Sequence, residues 1–210
     1  MQNKKLIRFV ESFLLLPIVT VSMPLGIFSN PKVDTETIQI PQIVLAQQEN
    51  IEAINGLLAF NQELDRKAEI LRTQAEAIDA YYRKYNMPLE GTGMIMAKAA
   101  EENGLDWRLL PAISVIESTG GIHACKNATH SFMGWGSCKI NFNSDKEAIE
   151  IIAKHLGGNM ESTDHHYAGK SVKEILQKYN PPSIVPNYAN KVMKVMKKFG
   201  PDPVEILASV

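Results

Sequence analysis

The chain has 210 residues, 45% hydrophobic and 21% charged, which suffices for one ordinary core with appendages and leaves two full domains cramped. Its 22 Lys and Arg balance 23 Asp and Glu, so no global field points to nucleic acid or to a highly charged substrate. Recognition has to be local.

Lys4, Lys5 and Arg8 precede "SFLLLPIVTVSMPLGIF", residues 12–28, an uncharged apolar run interrupted by Pro17 and Pro24. A basic start followed by an apolar stretch reads as a secretory signal or, if uncleaved, as a tilted membrane anchor. Ala46, with Val44 two residues before it, offers a small-residue cleavage pattern, but far beyond the run. The expected location is therefore extracytoplasmic, secreted or held at the membrane. Two prolines and poor amphipathicity speak against a buried N-terminal helix.

Residues 29–50, with two prolines and no sustained period, read as a linker. From residue 51 the period changes. Ile54, Leu57, Asn61, Leu64, Ala68, Leu71, Ala75, Ile78, Tyr82 and Tyr85 follow a 3-4 alternation, which predicts one long helix over 51–85. Two roles stay open: a coiled-coil stalk that makes a homodimer or holds the domain off a membrane, or an amphipathic helix docked on its own domain. Asn61, Ala68 and Ala75 weaken any self-association seam.

"YNMPLEGTG", residues 85–93, has the punctuation of a boundary, and a compact domain is expected over 86–200, followed by a tail at 201–210. Helices are predicted at 94–103, 107–118, 144–156, 171–179 and 186–199. Gly104 follows the first and Asp106 suits the cap of the second. Ser144 with Glu147, and Ser171 with Glu174, form capping-box patterns. No long alternating strand appears, although a short hairpin fits inside 122–142. The fold class is mainly α, with a loop-rich lobe between the second and third of these helices.

One carboxylate stands out. Leu110, Ile113 and Glu117 fall at i, i+3 and i+7, so Glu117 continues an apolar stripe, in the last turn before "TGG". Desolvation and the negative end of the helix dipole both favour its protonated form, which a general acid in glycoside cleavage requires. The plainer reading is a core-edge Glu that pairs with a Lys or reaches water. Residues 118–144 hold no Asp or Glu, so a second acid must come from elsewhere, with Glu90, Asp106, Asp145, Glu147 and Asp164 left by elimination. Otherwise Glu117 serves as acid and then base.

"AISVIESTGG", "FMGWG" and "QKYNPPSIVPNYANKVMKVM" resemble the lysozyme-like superfamily, specifically bacterial peptidoglycan-cleaving domains of the lytic transglycosylase and endo-β-N-acetylglucosaminidase type. The resemblance covers residues 80–200 and implies a helical body with a small lobe over a sugar cleft. By position it implies that Glu117 is the general acid, that Ser118 supports it, and that Tyr179 and Tyr188 lie in or near the cleft. "GWGSC" lacks the Gln that the transglycosylase pattern usually carries there, so the two types are not separated.

In such a lobe, Trp135 offers a flat face for a sugar, and Gly134 and Gly136 let backbone approach a glycan closely. Asn127, Thr129, Ser131 and Asn141 supply hydrogen bonds. Phe132 reads as lobe core, and Trp135 fits either role. Cys125 and Cys138 in an exported chain read as a disulfide worth about 3 kcal/mol. The competitor is zinc held by His123, Cys125, His130 and Cys138, although the spacing lacks the usual tight pairs. His155, His165 and His166 read as surface or cap residues, "NAT" at 127–129 is a weak glycosylation pattern, and "KVMKVMKK" is a basic amphipathic helix end.

The expected function is an exported glycosidase that cleaves β-1,4 bonds between N-acetylglucosamine and N-acetylmuramic acid in peptidoglycan strands, with no cofactor and no metal. The alternatives are a non-catalytic wall-binding module and a coiled-coil scaffold.

Overall fold

A computed structural model describes residues 40–201. The proposed signal or anchor at 1–28, the first part of the linker and nearly all of the tail lie outside these residues. By internal contacts the chain divides into residues 1–48, described only as helix from Ile40 onward, and residues 49–210, which carry everything below. Among the described residues no helix is long and apolar enough to cross a membrane.

The architecture is mainly α, with no strand among the described residues. The helices are α1 (Ile40–Lys84), α2 (Gly93–Glu102), α3 (Leu109–Ser118), α4 (Asp145–Leu156), α5 (Asp164–Tyr167), α6 (Val172–Tyr179) and α7 (Tyr188–Met196). A lobe at residues 119–144 joins α3 to α4 and contains a single 3-10 turn, Trp135–Cys138. Helix α1 begins ten residues before the linker was expected to end, with Pro41 in its first turn. A proline there sacrifices no intrahelical hydrogen bond, so it starts a helix as readily as it interrupts one.

Side-chain caps explain the starts of α4 and α6. Ser144 accepts from the Glu147 N–H at 3.1 Å, and the Glu147 carboxylate turns back to the Asn143 N–H. At Ser171 the reciprocal box is complete: the Glu174 carboxylate accepts from Ser171 N–H while Ser171 Oγ accepts from Glu174 N–H. Asp106 does bind backbone near the start of α3, accepting from Arg108 N–H at 2.9 Å, but α3 proper begins at Leu109. Pro111 sits in its first turn.

Helix α3 packs on α7, α2 on α4, and α6 on α7. Their shared core takes Met96 from α2, Leu110 and Ile113 from α3, Ile152 and Leu156 from α4, Leu176 from α6 and Val192 from α7. Each such side chain contributes about 1.5–3 kcal/mol by leaving water. The core also takes Ile78 and Tyr82 from α1, both fully buried, and Tyr82 Oη lies 2.8 Å from Ser114 Oγ of α3. The compact body therefore starts before residue 86. The long seam divides in two: Ala75, Ile78 and Tyr82 dock into their own domain, whereas Ile54, Leu57 and Leu64 stand 49–62% exposed.

The hairpin expected inside 122–142 does not form. Its place is taken by a lobe closed through Thr129, whose carbonyl accepts from Phe142 N–H at 3.1 Å and whose hydroxyl donates to Phe142 O at 2.9 Å. The reason is backbone chirality. Gly136, Ser137 and Cys138 are all left-handed, with φ of 62°, 57° and 59°, which winds the chain away from any extended pairing. Cys125 and Cys138 are disulfide-bonded across this lobe, 13 residues apart. The bond consumes both thiolates that a zinc site would need, and His130 Nδ1 pairs with Asp145 at 2.7 Å.

Candidate active site

Glu117 reaches the wall of an open cleft of about 460 Å³, lined also by Gly134, Trp135, Gly136, Ser137, Tyr179, Asn180, Pro181 and Ile184. Three segments meet there: the C-terminal turn of α3, the lobe, and the α6–α7 connection. The end of α3 is fixed by Ser118, whose buried Oγ accepts from Gly121 N–H at 2.9 Å and donates to Ser114 O at 3.1 Å. Thr119 then takes a left-handed φ of 55° and turns the chain into the lobe. Ser118 thus positions Glu117 through the backbone and does not face the cleft.

The Glu117 carboxyl is held on both sides. Tyr188 Oη donates to its Oε1 at 2.6 Å. On the other side, a Cβ at Gly134 would stand 3.0 Å from Oε2. Gly134 has φ of 66°, so both its conformation and the space beside Glu117 call for glycine. Burial raises the Glu117 pKa, and the Tyr188 hydrogen bond, the smaller influence, pulls it back. Burial wins, and the group leans toward its protonated form.

Aromatic rings build the wall around it. Tyr179 and Tyr188 stack with centroids 6.0 Å apart and planes 13° from parallel, and Trp135 lies 5.7 Å from Tyr179. The Tyr179 hydroxyl donates to Met133 O in the lobe, tying α6 to the segment that carries Gly134. Trp135 packs partly against the core and also presents a side to the cleft, so neither of the two roles its sequence left open is excluded by its placement. Phe132 is core.

Among the candidate residues, Glu117, Gly134, Trp135, Gly136 and Tyr179 line the cleft together. Ser131 does not join them. It is buried inside the lobe at 2% exposure, and its carbonyl accepts from Cys125 N–H, so it is a lobe-packing residue and not a glycan contact. Tyr188 is buried as well, with its hydroxyl spent on Glu117. Asn127, Thr129 and Asn141 sit on the exposed side of the lobe, where Asn141 Oδ1 accepts from Thr129 N–H.

None of the carboxylates left by elimination lines the cleft. Glu90 pairs with Arg83, Asp106 with Arg108, Asp145 with His130, and Asp164 with His165, while Glu147 caps α4. His155, read from the sequence as a surface or cap residue, is half-buried instead, with its ring 4.9 Å from Trp135 and its Nδ1 2.8 Å from Thr163 Oγ1. Nothing in its local sequence marks it. Asn180, Pro181 and Ile184 were missed, although they stand in the same "YNPPSI" stretch as Tyr179. Comparison with family models, with curated proteins and with solved structures finds no match to this chain.

Proposed function

We propose that the chain is an exported or membrane-anchored glycosidase of lysozyme-like fold that cleaves β-1,4 bonds in peptidoglycan strands, with Glu117 as the general acid. The observation that carries this reading is the setting of Glu117: a carboxyl at the edge of an open cleft, raised in pKa by burial, and with no second carboxylate from the described residues lining the same cleft.

The chemistry follows from the hydrogen bonding. Because Tyr188 donates to Oε1, that oxygen acts as acceptor and the acid proton belongs on Oε2, beside Gly134. Oε2 gives its proton to the glycosidic oxygen as the C1–O bond breaks, and the sugar ring develops oxocarbenium character. Glu117, now ionised and still held by Tyr188, takes a proton from the group that attacks C1. That group is water or a hydroxyl of the sugar itself. Two-carboxylate mechanisms need a partner within about 5–9.5 Å, and every other candidate acid is engaged elsewhere. A one-acid route is therefore the reading with the better support.

Trp135, Tyr179 and the exposed Ile184 give the cleft apolar faces suited to sugar rings, and Ser137 and Asn180 give polar atoms. The test is mass spectrometry of soluble products after full-length protein and its Glu117→Gln variant are incubated with purified peptidoglycan. Anhydro ends indicate the internal hydroxyl, and reducing ends indicate water. Equal release by both proteins would sink the assignment of Glu117, and no release by either would favour a wall-binding module.

A further inference from the structure

Trp135 stands between Gly134 and Gly136, both left-handed with φ of 66° and 62°, so neither chain neighbour has a side chain to brace the indole. The bracing comes from outside the lobe. Three rings on three helices lie against it: His155 of α4 with centroids 4.9 Å apart, Tyr179 of α6 at 5.7 Å and Tyr167 of α5 at 6.5 Å. His155 is the nearest of the three, and its plane is 32° from that of the indole.

The other two rings have duties besides Trp135. Tyr179 stacks on Tyr188 and donates its hydroxyl to Met133 O, and Tyr167 is buried in the core. The His155 side chain is anchored at one point, Nδ1, which lies 2.8 Å from Thr163 Oγ1. Thr163 immediately precedes α5 and is itself fixed: its N–H donates to Met160 O at 2.8 Å, and its carbonyl accepts from Tyr167 N–H at 3.2 Å. The imidazole therefore cannot rotate in its plane against the indole without breaking the Thr163 contact. Burial holds its pKa below the ordinary 6.5, so at neutral pH an uncharged ring meets Trp135.

We propose that His155 is a positioning residue for glycan binding: pinned by Thr163, it holds the indole of Trp135 in the orientation that presents one side to the cleft. For the identity of the ligand this rests on the glycan-cleaving reading, to which it adds a residue that does not itself line the cleft. A sugar ring that stacks on an indole already held in place does not have to order it. Ordering one such side chain on binding costs about two- to tenfold in affinity. The His155 side chain has no hydrogen bond to Glu117 or Tyr188, so its loss falls on binding and spares the step that breaks the glycosidic bond.

The test compares His155→Ala, His155→Phe and Thr163→Val in the full chain, each checked for unchanged helical circular dichroism. In steady-state release of soluble fragments from purified peptidoglycan, His155→Ala should raise KM about two- to tenfold and leave kcat within about twofold of the parent. His155→Phe, which keeps a flat ring against the indole, should recover most of the loss. Thr163→Val, which removes only the anchor, should raise KM less than His155→Ala, and it carries the comparison if the alanine variant does not fold. Affinity is read separately. The chain has two tryptophans, so in a Trp107→Phe background the emission of Trp135 alone follows a titration with a β-1,4-linked N-acetylglucosamine tetramer. The dissociation constants should fall in the same order as the KM values. A parent that binds the tetramer but cuts no peptidoglycan would end the glycosidase reading, while the order of affinities would still decide the role of His155. Trp135 emission unmoved by the tetramer in the parent, KM and affinity unchanged in His155→Ala, a loss confined to kcat, or a His155→Phe protein as weak as His155→Ala would overturn the proposal.

Discussion

Gly134→Ala separates two costs that coincide at one residue. The first is conformational: at φ of 66° and ψ of 11° the backbone is left-handed, and an added Cβ costs about 1–2 kcal/mol there. For a domain of this size that lowers the melting temperature by about 2–8 °C. The second cost is local, because the new methyl would stand 3.0 Å from Glu117 Oε2 and 3.7 Å from its Cδ. The carboxyl must withdraw by a few tenths of an ångström. A misplacement of about 1 Å costs on the order of a hundredfold in rate, so a loss of about tenfold in kcat is expected. Gly104→Ala supplies the control, since its φ is 65° and a Cβ there meets nothing within 4 Å. Both variants should melt lower by similar amounts, measured by calorimetry, and only Gly134→Ala should slow release of soluble wall fragments. Equal activity in the two variants would refute the claim that the position of Oε2 limits the reaction.

Tyr188→Phe removes the donor that favours ionised Glu117, so the basic limb of the kcat/KM profile should move to higher pH; a fixed limb, or movement to lower pH, would contradict the role given to that hydroxyl. Glu117 also links stability to pH. Its folded pKa is raised above the ordinary 4.5, so its contribution is fully present below that value and is lost as pH rises through the folded value. Glu117→Gln should therefore gain in melting temperature relative to the parent as pH increases through this window, and calorimetry at several pH values checks it. Reducing Cys125–Cys138 should cost about 3 kcal/mol and depress activity, because the loop it closes holds Gly134 and Trp135, with denaturant titration in the presence and absence of reductant as the measure. Tyr179→Phe loses the bond to Met133 O, worth about 1 kcal/mol, and should lower kcat more than it changes KM in steady-state assays.

What could be read from the sequence, and what could not, follows the range of the interactions involved. The placement of Glu117 on the buried stripe of α3 was legible, because i, i+3 and i+7 spacing is a local property. So were the starts of α4 and α6, where Ser and a Glu three residues later announce the cap. Helix α5 was missed because Asp164–Tyr167 is a single turn, too short to show a period. The short hairpin that residues 122–142 could fit does not form because the left-handed residues that prevent it include Ser137 and Cys138, types that do not signal that conformation. Tyr188 was placed near the cleft, but its bond to a residue 71 positions away belongs to the packing of α7 on α3. The burial of Ser131 was hidden for the same reason, since a serine in a polar loop reads as exposed.

The Tyr82–Ser114 contact, with the burial of Ile78, makes the end of α1 part of the scaffold that carries Glu117. Ser114 O in turn accepts from Ser118 Oγ, one residue from the acid. A pull on α1 within the domain, as the proposed N-terminal anchor would apply, would therefore load its contact with the helix whose last turn carries the Glu117 carboxyl. A cut between residues 84 and 86 would sever from the chain the helix whose Tyr82 hydroxyl meets Ser114, four residues before the serine that follows Glu117.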